Sequence, residues 1–131
     1  MGAWIRDLIY FKYSQDETSE AFIGEWAEKR GIRDQLVIAT KYTTNYKRGK
    51  ERDIANMVNY SGNSTKSLHV SVEASLKKLR TTYIDLLYVH WWDYTTSVEE
   101  VVNSLHILVQ QGKVLYLVCY LLGRLFRYER C

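Results

Sequence analysis

Residues 84–93 read I-D-L-L-Y-V-H-W-W-D, so that an apolar run of strand-forming residues stops at a histidine, two tryptophans and a carboxylate. A buried strand with polar side chains at its carboxyl end is how α/β folds build active sites. Residues 36–41, L-V-I-A-T-K, repeat the arrangement and close on a lysine. We therefore expect Lys41 and His90 to meet at one mouth of a sheet.

Helices and strands alternate around these two segments. Apolar spacing predicts helices at 17–30, at 64–79 and between Ser97 and Gly112, and strands at 35–41, 81–91 and 113–120. The order is (β)αβαβαβ, with residues 42–62 as a long loop of the kind that is usually functional or disordered. Strands joined by helices run parallel with right-handed crossovers, which places their carboxyl ends together.

Each of the three helices carries a more detailed expectation. The buried face of the first helix is expected to hold Phe22, Ile23, Trp26 and Ala27. Ser97 and Glu100 have the spacing of a capping box at the start of the third helix. Leu68, Val72, Leu76 and Leu79 recur at helical spacing in the second, so we expect that helix to cover the sheet.

Composition restricts the class of protein. The chain has 131 residues, 47% of them hydrophobic, which suits one globular domain over residues 1–131. A net charge of +3 gives little reason to expect a nucleic-acid or membrane partner, and the longest apolar run, 115–122, is far below the ~20 residues of a membrane span. Cys119 and Cys131 lack metal-ligand spacing, so we predict reduced thiols, no metal and a cytoplasmic location.

The loop after the first predicted strand allows one alternative reading. Basic and aromatic residues interleave there, as in proteins that bind single-stranded nucleic acid. The residues are Lys41, Tyr42, Tyr46, Lys47, Arg48, Lys50 and Arg52. Glu51 and Asp53 dilute the positive charge, and a solvated active-site loop explains the pattern more simply.

Residues 15–117 resemble the aldo-keto reductases, most closely the fungal aryl-alcohol dehydrogenase branch. The passages that match are Q-D-E-T-S-E at 15–20, I-G-E-W at 23–26, R-D-Q-L-V-I-A-T-K at 33–41, the whole of 62–93, and G-K-V-L-Y-L at 112–117. The resemblance is specific because a complete strand-helix-strand passage takes part. It implies an α/β fold, the (β/α)8 TIM barrel, of which this chain supplies roughly strands 2–5 with their intervening helices.

The resemblance also implies an activity. Members of the family bind NADP(H) and reduce carbonyl compounds, in this branch aryl aldehydes, with the reverse oxidation of aryl alcohols. Their catalytic group is an aspartate, a tyrosine, a lysine and a histidine. The tyrosine protonates the carbonyl oxygen, the lysine paired with the aspartate lowers the pKa of the tyrosine, and the histidine orients the carbonyl by hydrogen bonding.

Residue by residue, Lys41 and His90 match the family lysine and histidine. Trp91 and Trp92 follow at the strand mouth and are expected to give an aryl substrate a flat apolar surface. The tyrosine stays open between two positions. An ungapped comparison places Ser14 there, whereas a local shift of one residue restores Tyr13.

Both ends of the chain differ from the family pattern, at residues 1–14 and 118–131. A complete barrel needs about 250 residues, and the family's cofactor contacts lie mostly in the part that the resemblance does not cover. We therefore expect a truncated member with weak or absent activity. The alternative is a non-catalytic product that associates through open barrel edges, for example with a full-length relative.

Overall fold

The computed structural model describes residues 17–47 and 53–118, and all structural statements below concern these residues. The elements in chain order are α1 (Thr18–Arg30), β1 (Ala39–Tyr42), α2 (Thr65–Leu79), β2 (Ile84–Val89), α3 (Val98–Gln110) and β3 (Val114–Val118). The strands form one parallel sheet in the order β1-β2-β3. The predicted α/β alternation with parallel strands is confirmed in this part of the chain.

The helices cover one face of the sheet. The α2 residues predicted to be buried, Leu68, Val72, Leu76 and Leu79, all lie in the core, together with Val101, Leu105 and Leu108 of α3. Along β1, Thr40 and Tyr42 are buried, whereas Ala39 and Lys41 are exposed. This alternation leaves Lys41 on the uncovered face of the sheet.

The buried face of α1 differs from the prediction. Phe22 is 69% exposed and Trp26 39% exposed, while Ala27 is buried and Ile23 packs against the core only in part. The reason is the close approach of α1 to the end of α2 at Gly24, where an added Cβ would lie 2.4 Å from the carbonyl oxygen of Lys78. Small residues therefore form the contact, and the prediction was wrong for Phe22 and Trp26.

Strand β1 also begins later than predicted. Residues Arg33–Gln35 form a short 3₁₀ turn, which includes Gln35, the first residue of the predicted strand. The carboxylate of Asp85 accepts a hydrogen bond from the Ile38 N–H at 2.9 Å and forms an ion pair with Arg33 at 2.8 Å. Side chains thus hold the chain ahead of β1, and ladder pairing starts only at Ala39.

The predicted capping box is half confirmed. The Ser97 hydroxyl accepts from the Glu100 N–H at 3.2 Å, as expected for the cap of α3. The Glu100 carboxylate instead accepts from the N–H and the hydroxyl of Thr65, at 2.9 and 3.0 Å. Glu100 therefore ties the start of α3 to the start of α2.

Two features are absent from the described residues: a membrane-spanning helix and a cluster of metal ligands. None of the helices there is long and apolar enough to cross a membrane. The same part of the chain contains no group of three or more His, Cys, Asp or Glu side chains arranged to hold a metal ion.

Candidate active site at the strand mouth

The carboxyl ends of β1 and β2 bring Lys41 and His90 to one place. Lys41 is opposite Tyr88 in the parallel register, and His90 follows two residues later, so both side chains point to the same face. The N–H of His90 donates to the carbonyl oxygen of Tyr42 at 3.3 Å, which continues the pairing to the mouth. Topology alone predicted this meeting.

The surroundings of His90 favour its neutral form. Partial burial lowers its pKa from the ordinary value, and the positive charge of Lys41 lowers it further. A neutral imidazole has one N–H donor and one bare nitrogen acceptor. At neutral pH His90 can therefore donate one hydrogen bond from its ring.

Beyond β2, the two tryptophans lie in different environments. Trp91 is 37% exposed at the mouth, and its indole N–H donates to the Thr44 hydroxyl at 3.0 Å. Trp92 is 8% exposed and belongs to the hydrophobic core. Of the pair predicted to form a substrate surface, only Trp91 presents its ring at the mouth in this structure.

Thr44 is a member of the site that the sequence did not indicate. Its hydroxyl lies 2.9 Å from Nδ1 of His90, in addition to its contact with Trp91. Threonine in a long loop has no periodic pattern, and only the closeness of β1 to β2 gives it these neighbours.

A polar brace of Asn63 and Asp93 holds the loops of the mouth together. The Asn63 N–H donates to Oδ2 of Asp93, and the Asp93 N–H donates to Oδ1 of Asn63, both at 2.7 Å. Although partial burial acts to raise the pKa of Asp93, hydrogen bonds from Asn63, Thr96 and Thr95 lower it to about 2. The carboxylate is therefore ionised at neutral pH and serves as an anchor for backbone N–H groups.

The brace continues to the loop after β1. The Asn63 side-chain amide donates to the Thr43 hydroxyl and to the Trp91 carbonyl oxygen, both at 3.1 Å, and both Asn63 and Thr43 are fully buried. Thr43 has a φ of 97°, a left-handed conformation that costs of order 1–3 kcal/mol unless its surroundings fix it. The sequence analysis missed Thr43 and Asn63, because neither lies in an apolar pattern.

Carboxylates neutralise part of the positive charge in and beside the loop after β1. Lys47 forms an ion pair with Glu17 at 3.0 Å, and Lys78 pairs with Glu20 at 2.7 Å. Tyr42, an aromatic residue of the predicted interleaved patch, is 2% exposed. Residues Arg48, Lys50 and Arg52 of that patch lie outside the described residues.

The proton donor of the predicted site is not placed. Tyr13 and Ser14, the two candidates, lie outside the described residues. Tyr46, a tyrosine of the described loop, is a poor substitute, because burial first and Tyr60 second raise the pKa of its phenol to about 12. Its ring is flanked by the ammonium groups of Lys47 and Lys78, each 5.2 Å from the ring centre.

The family implies a nicotinamide dinucleotide, and the described residues do not fit its phosphates. The two lysines that contact the Tyr46 ring, Lys47 and Lys78, already neutralise Glu17 and Glu20. The N–H groups at the start of α2 are also engaged, since Ser64 caps Ser67 and Glu100 caps Thr65. These ion pairs and caps leave neither lysine, and neither the Thr65 nor the Ser67 N–H group, free to bind a pyrophosphate.

Comparison with known proteins gives consistent matches. The model of the aldo/keto reductase family matches residues 8–119. The NADP(+) aryl-alcohol dehydrogenase of Phanerodontia chrysosporium is 64% identical over 104 residues, which are 79% of this chain and 27% of that protein. An aldo-keto reductase of Emericella nidulans, ausK, is 59% identical over 103 residues, 79% of this chain and 26% of that protein.

A third relative is named for a different substrate. Norsolorinic acid reductase B of Dothistroma septosporum is 56% identical over 99 residues, 76% of this chain and 25% of that protein. The chain thus spans about a quarter of the length of these curated relatives. The family match covers most of the chain, including the strands that carry Lys41 and His90. This chain belongs to the aldo/keto reductase family.

Proposed function

We propose that this chain carries the carbonyl-binding part of a reductase that converts aryl aldehydes to alcohols and catalyses the reverse oxidation. The observation that supports this most is the placement of a neutral histidine beside a lysine at the mouth of two parallel strands. The names of the relatives, an aryl-alcohol dehydrogenase and two reductases, agree with it.

His90 has the first role in this proposal. Its ring N–H donates to the substrate's carbonyl oxygen, which orients the carbonyl and stabilises the negative charge that develops on oxygen during reduction. A neutral imidazole suits this role because its N–H is too weak an acid to transfer the proton. It only donates a hydrogen bond, and the phenol supplies the proton.

Lys41 has the second role. Its ammonium group favours the ionised form of a neighbouring phenol and so lowers the phenol's pKa from about 10 toward the working range of a general acid. We assign that phenol to Tyr13, with Ser14 as the competing position. Trp91 offers its half-exposed ring as a surface for the aryl group of the substrate.

The proposed cofactor is NADP(H), on the strength of the name of one relative. Since the described residues do not fit its phosphates, we assign it no step here. We further propose that β1, β2 and β3 are consecutive strands of a (β/α)8 barrel, which would place Lys41 and His90 at its carboxyl-terminal mouth.

A chimera tests the proposal. Residues 15–117 replace the equivalent passage in the Phanerodontia chrysosporium enzyme, which keeps its own aspartate and tyrosine. We expect turnover of an aryl aldehyde with NADPH, because this segment then supplies a working lysine and histidine. A folded chimera without turnover would contradict the proposed function.

A second candidate function is association without catalysis. Among the described residues, β1 and β3 pair only with β2; Val37, just ahead of β1, is 73% exposed, and Tyr116, within β3, is 67% exposed. An edge strand with exposed apolar side chains is a site for pairing with another chain. Mixing the full chain with the complete relative and measuring mass by light scattering tests this, with Tyr116→Lys expected to weaken any complex.

A further inference from the structure

One hydroxyl group joins the proposed carbonyl-binding histidine to the proposed aromatic surface. Oγ1 of Thr44 lies 2.9 Å from Nδ1 of His90 and 3.0 Å from the indole nitrogen of Trp91. Thr44 comes from the loop after β1, whereas both partners follow β2. The contact therefore crosses between the two strand ends.

The directions of these hydrogen bonds follow from the donors available. An indole N–H only donates, so the Thr44 oxygen accepts from Trp91. The single hydrogen of the hydroxyl is then free to donate, and the acceptor within reach among the described residues is Nδ1 of His90. If Nδ1 accepts, the proton of the neutral ring is on Nε2.

The opposite arrangement satisfies fewer groups. An N–H on Nδ1 would donate to Thr44, whose oxygen would then accept twice while its own hydrogen pointed away from both neighbours. Within the described residues, no other partner of the Thr44 hydroxyl lies at hydrogen-bonding distance. The Nε2–H form makes both hydrogen bonds of the Thr44 hydroxyl within the protein, whereas the Nδ1–H form leaves the hydroxyl hydrogen without a protein acceptor, so the Nε2–H form is favoured.

Hydrogen bonds hold the backbone at Thr43, which limits the movement of the neighbouring Thr44. The carbonyl oxygen of Thr43 accepts from the Gly62 N–H at 2.8 Å and from the Ser61 hydroxyl at 3.2 Å. The Thr43 hydroxyl accepts from Asn63 at 3.1 Å. Because this backbone is held, a ring flip of His90 or a rotation of Trp91 would break a hydrogen bond to Thr44 that the backbone cannot move to restore.

We propose that Thr44 is a positioning residue that holds His90 in the Nε2–H tautomer and fixes the indole ring of Trp91 beside it. The inference rests on the proposed function, since Nε2–H is the donor that would reach a carbonyl oxygen at the mouth. In this proposal, the Thr44 hydroxyl determines which ring nitrogen of His90 carries the proton, and it also fixes the position of the Trp91 ring.

The test measures the tautomer directly in the full chain. Histidines are labelled with ¹⁵N, and long-range ¹H–¹⁵N correlation spectra are recorded at a pH where the rings are neutral. His90→Gln assigns the His90 signals against those of His69 and His106. We expect the His90 Nε2 resonance at the position of a protonated nitrogen and Nδ1 at that of a bare nitrogen.

Three variants distinguish an effect of the Thr44 hydroxyl from a general change in the fold. Thr44→Val keeps the branched shape and removes the hydroxyl, so both His90 nitrogens should shift toward the averaged position of a mixed population. Thr44→Ser keeps the hydroxyl and should restore the wild-type pattern. Thr82→Val, an exposed residue just ahead of β2 at the opposite end of the sheet, should leave the spectrum unchanged.

Two results would overturn the inference: a wild-type His90 protonated on Nδ1, or a folded Thr44→Val variant with the wild-type pattern. If circular dichroism shows Thr44→Val to be unfolded, Thr44→Ala takes its place under the same criterion. No substrate or cofactor takes part in the measurement. A catalytically dead chimera with an intact Nε2–H signal would therefore reject the proposed function and leave the role of Thr44 in force.

Discussion

The two ends of the parallel strands are both braced by polar side chains, but they leave different groups free. At the amino end, every nitrogen of the Arg33 guanidinium is used, on Thr81, Leu36, Tyr83 and Asp85 at 2.8–3.2 Å. At the carboxyl end, the brace of Asn63 and Asp93 fixes the loops, while Lys41 and the rings of His90 and Trp91 remain accessible. We therefore expect the amino end to supply stability, whereas the proposed function assigns the chemistry to the carboxyl end.

The largest expected effect lies at the amino end. Arg33→Met removes the partner of Asp85, an ion pair whose side chains are 17% and 13% exposed, and it removes the guanidinium donors to the Leu36 and Tyr83 carbonyl oxygens. Breaking such a pair from one side should lower the free energy of unfolding by about 3 kcal/mol. Urea titration of the full chain measures the loss.

Arg80→Met is the matched control, because Arg80 and its partner Glu28 are 45% and 56% exposed. An exposed pair is screened by solvent and contributes little to stability. If Arg33→Met is as mild as Arg80→Met, the amino end is not the stabilising end and the comparison fails.

A smaller loss is expected at the carboxyl end. Asn63→Ala removes an amide that bridges Thr43, Trp91 and Asp93, so buried polar groups lose their partners. The cost should be about 2 kcal/mol. Unlike Arg33→Met, it should also disturb the His90 resonances, because Thr43 precedes Thr44. Asn103→Ala, on the exposed side of α3, is the control and should change neither quantity.

The smallest expected effect concerns acid. The folded-state pKa of Asp93, about 2, is below the ordinary value of about 3.9. A lowered carboxyl pKa contributes stability above the unfolded pKa, and this contribution is lost as the pH falls through the folded one. Asp93→Asn should therefore flatten the decline in melting temperature between about pH 4 and pH 2.

Asp53→Asn, at an exposed loop position, is the control for that series. If the melting temperature of Asp93→Asn falls with acid as steeply as that of the parent chain, Asp93 does not anchor the mouth as described.

The sequence predicted those features that depend on periodicity and topology. The apolar spacing of α2 was confirmed, since Leu68 and Val72 are each 1% exposed. Parallel strands also brought Lys41 and His90 to one face, as expected. These features follow from local patterns and from the handedness of the connections.

Features that depend on contacts between distant residues were not predictable. The face of α1 is set by the close approach at Gly24, which put Trp26 outside. The start of β1 is set by Asp85, which lies 47 residues from Ile38. Thr44 and Asn63 acquire their partners only when the loops meet, and a single sequence has no signal for such a meeting.

The most direct test of the central claim measures turnover in the chimera with substitutions at the two strand-end residues. Lys41→Met leaves the phenol near its ordinary pKa and should lower the rate at least ~100-fold, and His90→Ala should lower turnover at unchanged cofactor affinity. Lys77→Met and His106→Ala, both at exposed helix positions, should match the parent chimera. Either Lys41→Met or His90→Ala could instead leave turnover within a factor of about two of the parent chimera, far short of general acid–base effects. That result would contradict the assignment of this mouth as the reaction site.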